Sequence, residues 1–398
     1  MISHNTLEVL KALVRLALLR EQDIIFYGAL QKNSKYKKLI SELLCNPPND
    51  LMEAIQLHRV ATILEGDSLI KQLFHDLRLP LKELATHETF TALALASLTR
   101  EMSALFESKG MPMLVLKGIP LSLQTTCTLT ARGRGDLDLW VRSRDLADAI
   151  NLLKTEGFCL AKGFSSVADS TFQGLYSRFV SIEISLMRTR GRHIQFIDLH
   201  WHPSHTRGVL PSFKKIWEQR EYVSVNGQRI ATLPKQLAFV HYCCHANHDY
   251  WRSLRQLVDV VRLGMILPRS DILELSKSRP VSKTCCVAAE LTEKSVFNLI
   301  YSSKSVAQAS NVRREAKMAQ LFLSKNFSEQ KWLFSRIQSA LRVLNCHHHP
   351  AHFFSHLLFN FVTPPALMDS KSGRYRSLHQ IILYRWNLFR KYMNHSED

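Results

Sequence analysis

Two aspartates stand two residues apart inside an otherwise apolar run, Asp136-Leu-Asp-Leu-Trp-Val141, directly after the turn-like Arg132-Gly-Arg-Gly135. No other stretch narrows so sharply what this chain can fold into. Aspartate is depleted from strands, yet the run around it reads as a buried strand, so something must compensate for the charges. Side chains alternate along a strand, which puts Asp136 and Asp138 on one face and Leu137 and Leu139 on the other. Carboxylates side by side repel unless a cation lies between them, and a hard divalent ion with oxygen ligands, Mg2+ or Mn2+, is the usual solution.

The segment before this run supplies a complement. Met113 to Leu116 reads as a short apolar strand that ends at Lys117-Gly118, after which Ile119 to Thr126 can continue as a helix. A glycine at a strand-to-helix turn lets backbone N–H groups approach an anion, and the helix start favours phosphate there. Lys117, Arg132 and Arg134 can then neutralise polyphosphate oxygens; a structural carboxylate is the alternative partner for Lys117, and a solvated turn position the alternative for Arg134. Together these are the parts of a metal-dependent phosphoryl or nucleotidyl transfer site.

The residues that carry a family resemblance are Leu116-Lys-Gly118, Arg132-x-x-Gly-Asp-Leu-Asp-Leu-x-Val141, a helix ending in Gly157-Phe158, and Asp198-Leu-His-Trp201. Leu57 to Leu64 precedes them, and Leu233-Pro-Lys-Gln-Leu237, His245, His248 and Leu254 to Asp259 follow. This pattern resembles the uncharacterised nucleotidyltransferase family within the polymerase-β-type superfamily, over roughly residues 50–265. The Gly-Ser turn of the wider superfamily stands here as Lys117-Gly118, a form the narrower family shares. The resemblance implies a small twisted sheet, a nucleoside triphosphate as substrate, a phosphate contact at Arg132 and a third strand carboxylate at Asp198. Asp136, Asp138 and Asp198 would then be both metal ligands and catalytic residues, with Lys117, Gly118, Arg132, Arg134 and His200 on the nucleotide. From the residues alone, Glu183 in Phe179-Val-Ser-Ile-Glu-Ile184 rivals Asp198, and His200 either lines the nucleotide site or bonds within the sheet.

The expected fold class is α+β: a small mixed-sheet nucleotidyltransferase domain over 111–232, flanked by an N-terminal helical region, 1–110, and a C-terminal helical domain, 233–398. Apolar residues at helical spacing predict helices up to residue 110, with Asn49 or Asp50 capping one over 51–64 and a longer one over 86–108. These helices show no catalytic constellation, and packing or shaping a cleft is their expected part. Strands are expected at 112–117, 136–142, 158–162, 176–187 and 192–201, a helix at 144–156 and a loop at 163–170. Helices follow at 234–249, 252–265, 282–302, 305–325, 328–343 and 376–394.

A chain of 398 residues with 46% hydrophobic content has ample material for more than one core. Its net charge of +18 attracts polyanions, which makes RNA, nucleotides or an acidic partner candidates. Eight cysteines without regular spacing argue for reduced thiols and a cytoplasmic setting, and neither a secretory signal nor a membrane span is expected. His241, His245 and His248 share a helical face with Asp249 and Asp259 beyond, a face that packs on the sheet or borders the nucleotide cleft. Cys346-His-His-His349 reads as a surface loop, and the basic aromatic stretch Arg374 to Lys391 as a docked terminal helix or a surface for RNA. Two functional readings follow: transfer of an NMP from an NTP to a hydroxyl of RNA, protein or a small molecule, or a catalytically silent basic protein that binds RNA or protein.

Overall fold

The computed structural model describes residues 3–21, 48–67, 78–133, 135–160, 181–191, 193–204, 209–249 and 251–268, and beyond them residues 270–271, 274, 284–288, 291, 317, 379–380 and 383–384. The 163–170 loop, Cys346 to His349 and most of the helices expected after residue 268 lie outside these. Of the Arg374 to Lys391 stretch, only 379–380 and 383–384 are described.

The α+β expectation is met by a mixed sheet of seven strands, in the order β3-β4-β5-β2-β1-β7-β6, among the described residues. Its strands are β1 (Met113–Val115), β2 (Leu137–Val141), β3 (Cys159–Leu160), β4 (Glu183–Arg190), β5 (His193–His200), β6 (Glu221–Val225) and β7 (Gln228–Thr232). The helices are α1 (His4–Glu21), α2 (Leu51–His58), α3 (Ala61–Glu65), α4 (Arg78–Ser108), α5 (Ile119–Thr126), α6 (Leu146–Thr155), α7 (Phe213–Gln219), α8 (Lys235–His248) and α9 (Leu254–Ile266).

Strand alternation explains how the sheet is covered. Leu137, Leu139 and Val141 of β2, with Ile184, Leu186, Ile197 and Leu199 of β4 and β5, join one apolar cluster with Met102 and Phe106 of α4 and Ile150 and Leu153 of α6. A second cluster takes Leu114, Leu116 and Trp140 from the other face and packs them with residues of α1, α2, α3, α8 and α9. The helices on the two sides of the sheet in sequence therefore share a core.

Three local departures from the sequence expectations have physical causes. The helix expected over 51–64 breaks at Arg59, whose left-handed backbone (φ 54°, ψ 51°) ends α2 and turns the chain into α3. The Asp50 carboxylate does not cap α2; it accepts the backbone N–H of Ser3 at 2.8 Å and the Thr6 hydroxyl, fixing the start of α1. The hairpin β6-β7 had no counterpart among the expected strands, although Asn226-Gly227 marks it: both residues have positive φ, 47° and 85°, as a tight two-residue turn requires. β7 pairs parallel to β1, and the Thr232 hydroxyl donates to the Val115 carbonyl at 2.7 Å. Among the described residues no helix is long and apolar enough to cross a membrane.

Candidate active site

β2 lies between antiparallel β1 and parallel β5, and its register puts Asp138 opposite Asp198 and Trp140 opposite His200. β5 is in turn antiparallel to β4, which sets Ser185 opposite Asp198 and Glu183 opposite His200. Cross-strand partners share a face, as do residues two apart, so Asp138, Glu183, Asp198 and His200 rise together on the side away from the α4–α6 core. Both sequence candidates for the third carboxylate thus reach the same surface.

Asp138 is the buried centre of this group. Its Oδ1 lies 2.8 Å from Lys117 Nζ and 3.0 Å from His200 Nε2, and His200 Nδ1 lies 3.0 Å from a Glu183 carboxylate oxygen. Burial opposes ionisation of Asp138, but the charges of Lys117 and His200 outweigh it and hold the carboxyl far below the usual carboxylate range. Burial likewise opposes charge on His200, and Glu183 and Asp138 overcome it, raising the imidazole to about 10. Lys117 is raised because the Asp138 charge outweighs its desolvation.

Asp198 behaves in the opposite way. Burial, then the like charges of Glu183 and Asp138, raise its carboxyl to about 6, against the lowering effect of a 2.6 Å hydrogen bond from the Ser185 hydroxyl to Oδ1. Asp136 precedes β2 and is exposed, on the rim of the same cleft. Gly118 (φ 77°, ψ −118°) turns the chain from β1 into α5 in a conformation open to glycine, and so aims Lys117 back over β2. Arg132 is anchored through its Nε, which donates to Asp259 Oδ2 at 2.9 Å, and its guanidinium lies 5.6 Å from the centre of the Tyr242 ring. Arg134 lies outside the described residues.

These side chains line a cleft of about 610 Å³, the scale of a nucleotide-sized pocket. Its far wall is α8 and α9. His241 and His245, one turn apart, stack with ring centres 6.3 Å apart and an interplanar angle of 18°. His245 Nε2 is 3.4 Å from Lys117 Nζ, and burial followed by the Lys117 charge lowers this imidazole to about 4. The histidine face therefore borders the cleft. Arg59, from the α2–α3 elbow, and Arg255, from α9, also line it. Both sit in segments that carried the resemblance, but without alternation or spacing to mark them as functional.

The donor types, though not their spacing, suit a hard divalent cation. Asp138 and Asp198 present carboxylate oxygens from paired strands, and Asp136 adds an exposed carboxylate on the rim. Among the described residues no three acids or histidines lie close enough to form a coordination set, and the Lys117 ammonium lies on Asp138 Oδ1.

A family model described as uncharacterised nucleotidyltransferase matches residues 47–293, a span that holds every residue lining the cleft. The chain belongs to this nucleotidyltransferase family. Among solved structures, an antigenic nucleotidyltransferase-like protein from Paracoccidioides brasiliensis is similar at 14% identity, over 54% of this chain and 97% of that one, with a TM-score of 0.29, too low to carry a structural argument. No curated protein matches the chain.

Proposed function

We propose that this nucleotidyltransferase-family protein transfers an NMP from an NTP to an acceptor hydroxyl, releasing pyrophosphate. The observation that carries the reading is the pairing in register of Asp138 with Asp198 on the floor of a cleft of nucleotide size. Asp136, Asp138 and Asp198 would hold Mg2+ or Mn2+. When bound, such an ion neutralises charge on the transferring phosphoryl group.

In the reaction the acceptor oxygen bonds to the α-phosphorus, the bond from that phosphorus to the bridging oxygen breaks, and pyrophosphate leaves with the electron pair. Asp198 is suited to receive the acceptor proton at Oδ2, since Oδ1 already accepts from Ser185. Lys117 and Gly118 position the phosphates, with His200 holding Asp138 in place from below. Glu183 acts through His200 and keeps it protonated.

A second reading is favoured by one contact, the Lys117 ammonium seated on Asp138 Oδ1. In it, the protein is a catalytically silent basic binder of RNA or protein. Incubation with each α-labelled NTP and Mg2+ or Mn2+, with RNA and cell protein as acceptors, separates the two. The first reading requires label on an acceptor and its loss in Asp198→Asn. Absence of label under every combination, with salt-dependent RNA binding intact, would leave the second.

A further inference from the structure

The N-terminal helices reach this cleft at Arg59. Arg59 is the residue at which α2 stops, and it holds a left-handed backbone conformation that glycine or asparagine ordinarily fills. For a side chain with a Cβ this costs about 1 kcal/mol or more. The elbow is also clamped to α9: the Leu254 backbone N–H donates to His58 Nδ1 at 3.3 Å, and the Ser253 hydroxyl donates to the His58 carbonyl at 3.1 Å. That clamp brings Arg59 beside Arg255, one residue into α9 from Leu254, and both join Arg132 on one wall of the cleft.

Three guanidinium groups from three separate segments thus share one partly buried wall. Asp259 engages Arg132 and, with Glu88, offsets part of their charge. Burial, then the like charges of Arg132 and Arg59, push Arg255 down to about 9, against the effect of those two acids. Planar, forked donors gathered from three segments on one cleft suit an anion with several phosphate oxygens.

We propose that Arg59 and Arg255, supported by Arg132, form the subsite for the terminal phosphates of the triphosphate, so that the N-terminal helices contribute directly to substrate binding. The assignment rests on the nucleotidyltransferase reading for the identity of the ligand, but its chemistry is tested without any transfer.

The probe is sodium tripolyphosphate, titrated calorimetrically into the full chain, with AMP as a control that lacks the terminal phosphates. Arg59→Gly is the informative variant, because glycine relieves the left-handed strain: its Tm is expected at or above that of the wild type, while tripolyphosphate affinity falls about tenfold and AMP affinity is unchanged. Arg255→Gln is expected to lose a similar factor, and Arg255→Lys to recover part of it. Tripolyphosphate binding equal to wild type in Arg59→Gly and Arg255→Gln overturns the subsite, and so does a wild type that binds no tripolyphosphate. Should labelled NTP still be transferred in either case, this assignment alone falls. Loss of transfer in Asp198→Asn with the tripolyphosphate result as expected bears out both.

Discussion

Asp138 and Asp198 face the same cleft from adjacent parallel strands, yet their environments drive them apart: Lys117 and His200 hold Asp138 ionised, while burial and neighbouring acids raise Asp198 to about 6. On the proposed mechanism two carboxylates with opposite perturbations would divide the work, one as a fixed negative charge and one as a proton acceptor. Replacing Asp198 by Asn removes a desolvated charge close to Glu183 and Asp138 and still leaves the Ser185 hydroxyl an oxygen to donate to, so the fold should be as stable as wild type or more so. Transfer should fall by a factor on the order of 10³. Thermal unfolding and labelled-NTP assays on the same preparation check both halves. Wild-type activity in this variant would remove Asp198 from the mechanism.

Asp138 is a poorer choice for that experiment, contrary to what the sequence suggests. From the sequence, either strand aspartate looks replaceable by Asn without loss of fold; the structure shows Asp138 buried against two cations. Its removal leaves Lys117 and His200 without their shared partner, a situation that typically costs about 3–5 kcal/mol. Lys117→Met in turn strands Asp138 with His200 alone. A double-mutant cycle by urea denaturation is expected to show coupling between Lys117→Met and Asp138→Asn of about 1–3 kcal/mol, the double variant being less damaged than the sum of the singles. Additive losses would mean that the 2.8 Å contact contributes little to the folded protein.

Gly118 sets the direction of Lys117 through its backbone. Space is not the constraint, since an added Cβ would meet nothing nearer than a Leu95 methyl at 3.6 Å. The constraint is φ 77° with ψ −118°, which an L side chain adopts only at a cost of about 1–3 kcal/mol. Gly118→Ala should therefore lose stability in that range, by chemical denaturation, and weaken NTP binding as the turn relaxes and carries Lys117 with it. Unchanged binding together with lowered stability would confine Gly118 to a structural part.

What was legible in the sequence follows from how local each signal is. The alternation of Asp136 to Val141 predicted a strand with acids on one face and leucines on the other, and the two faces of β2 divide in that way between cleft and core. The placement of Asp198 beside Asp138 depends on strand register and came only through family resemblance. Nothing local distinguishes Asp198 from Glu183, because the sheet brings both to one surface through different partners. Arg132 read as a phosphate ligand; its anchoring to buried Asp259, 127 residues away, is a pairing that no spacing rule could reveal. The β6-β7 hairpin was readable from Asn226-Gly227 and the alternating residues around it. Arg59 was not, because a left-handed arginine leaves no trace in composition or periodicity.

The elbow that positions Arg59 depends on a neutral histidine, and this gives the fold a dependence on pH. His58 is fully buried, and its Nδ1 accepts the Leu254 backbone N–H, a bond that a protonated ring nitrogen cannot make. Burial, with a smaller contribution from the Lys11 charge, lowers this imidazole from 6.5 to about 4. On acidification the unfolded chain therefore takes up a proton before the folded one does. The stability contributed by the neutral ring is fully present above about pH 6.5 and is lost as pH falls toward about 4, amounting to a few kcal/mol across that window. Urea midpoints measured between about pH 7 and about pH 4 should fall more steeply in the wild type than in His58→Asn, whose side-chain oxygen can accept the Leu254 N–H without titrating in this range. Equal slopes would show that His58 gains its proton as readily in the folded state as in the unfolded one, and that the clamp between the elbow and α9 does not depend on its neutrality.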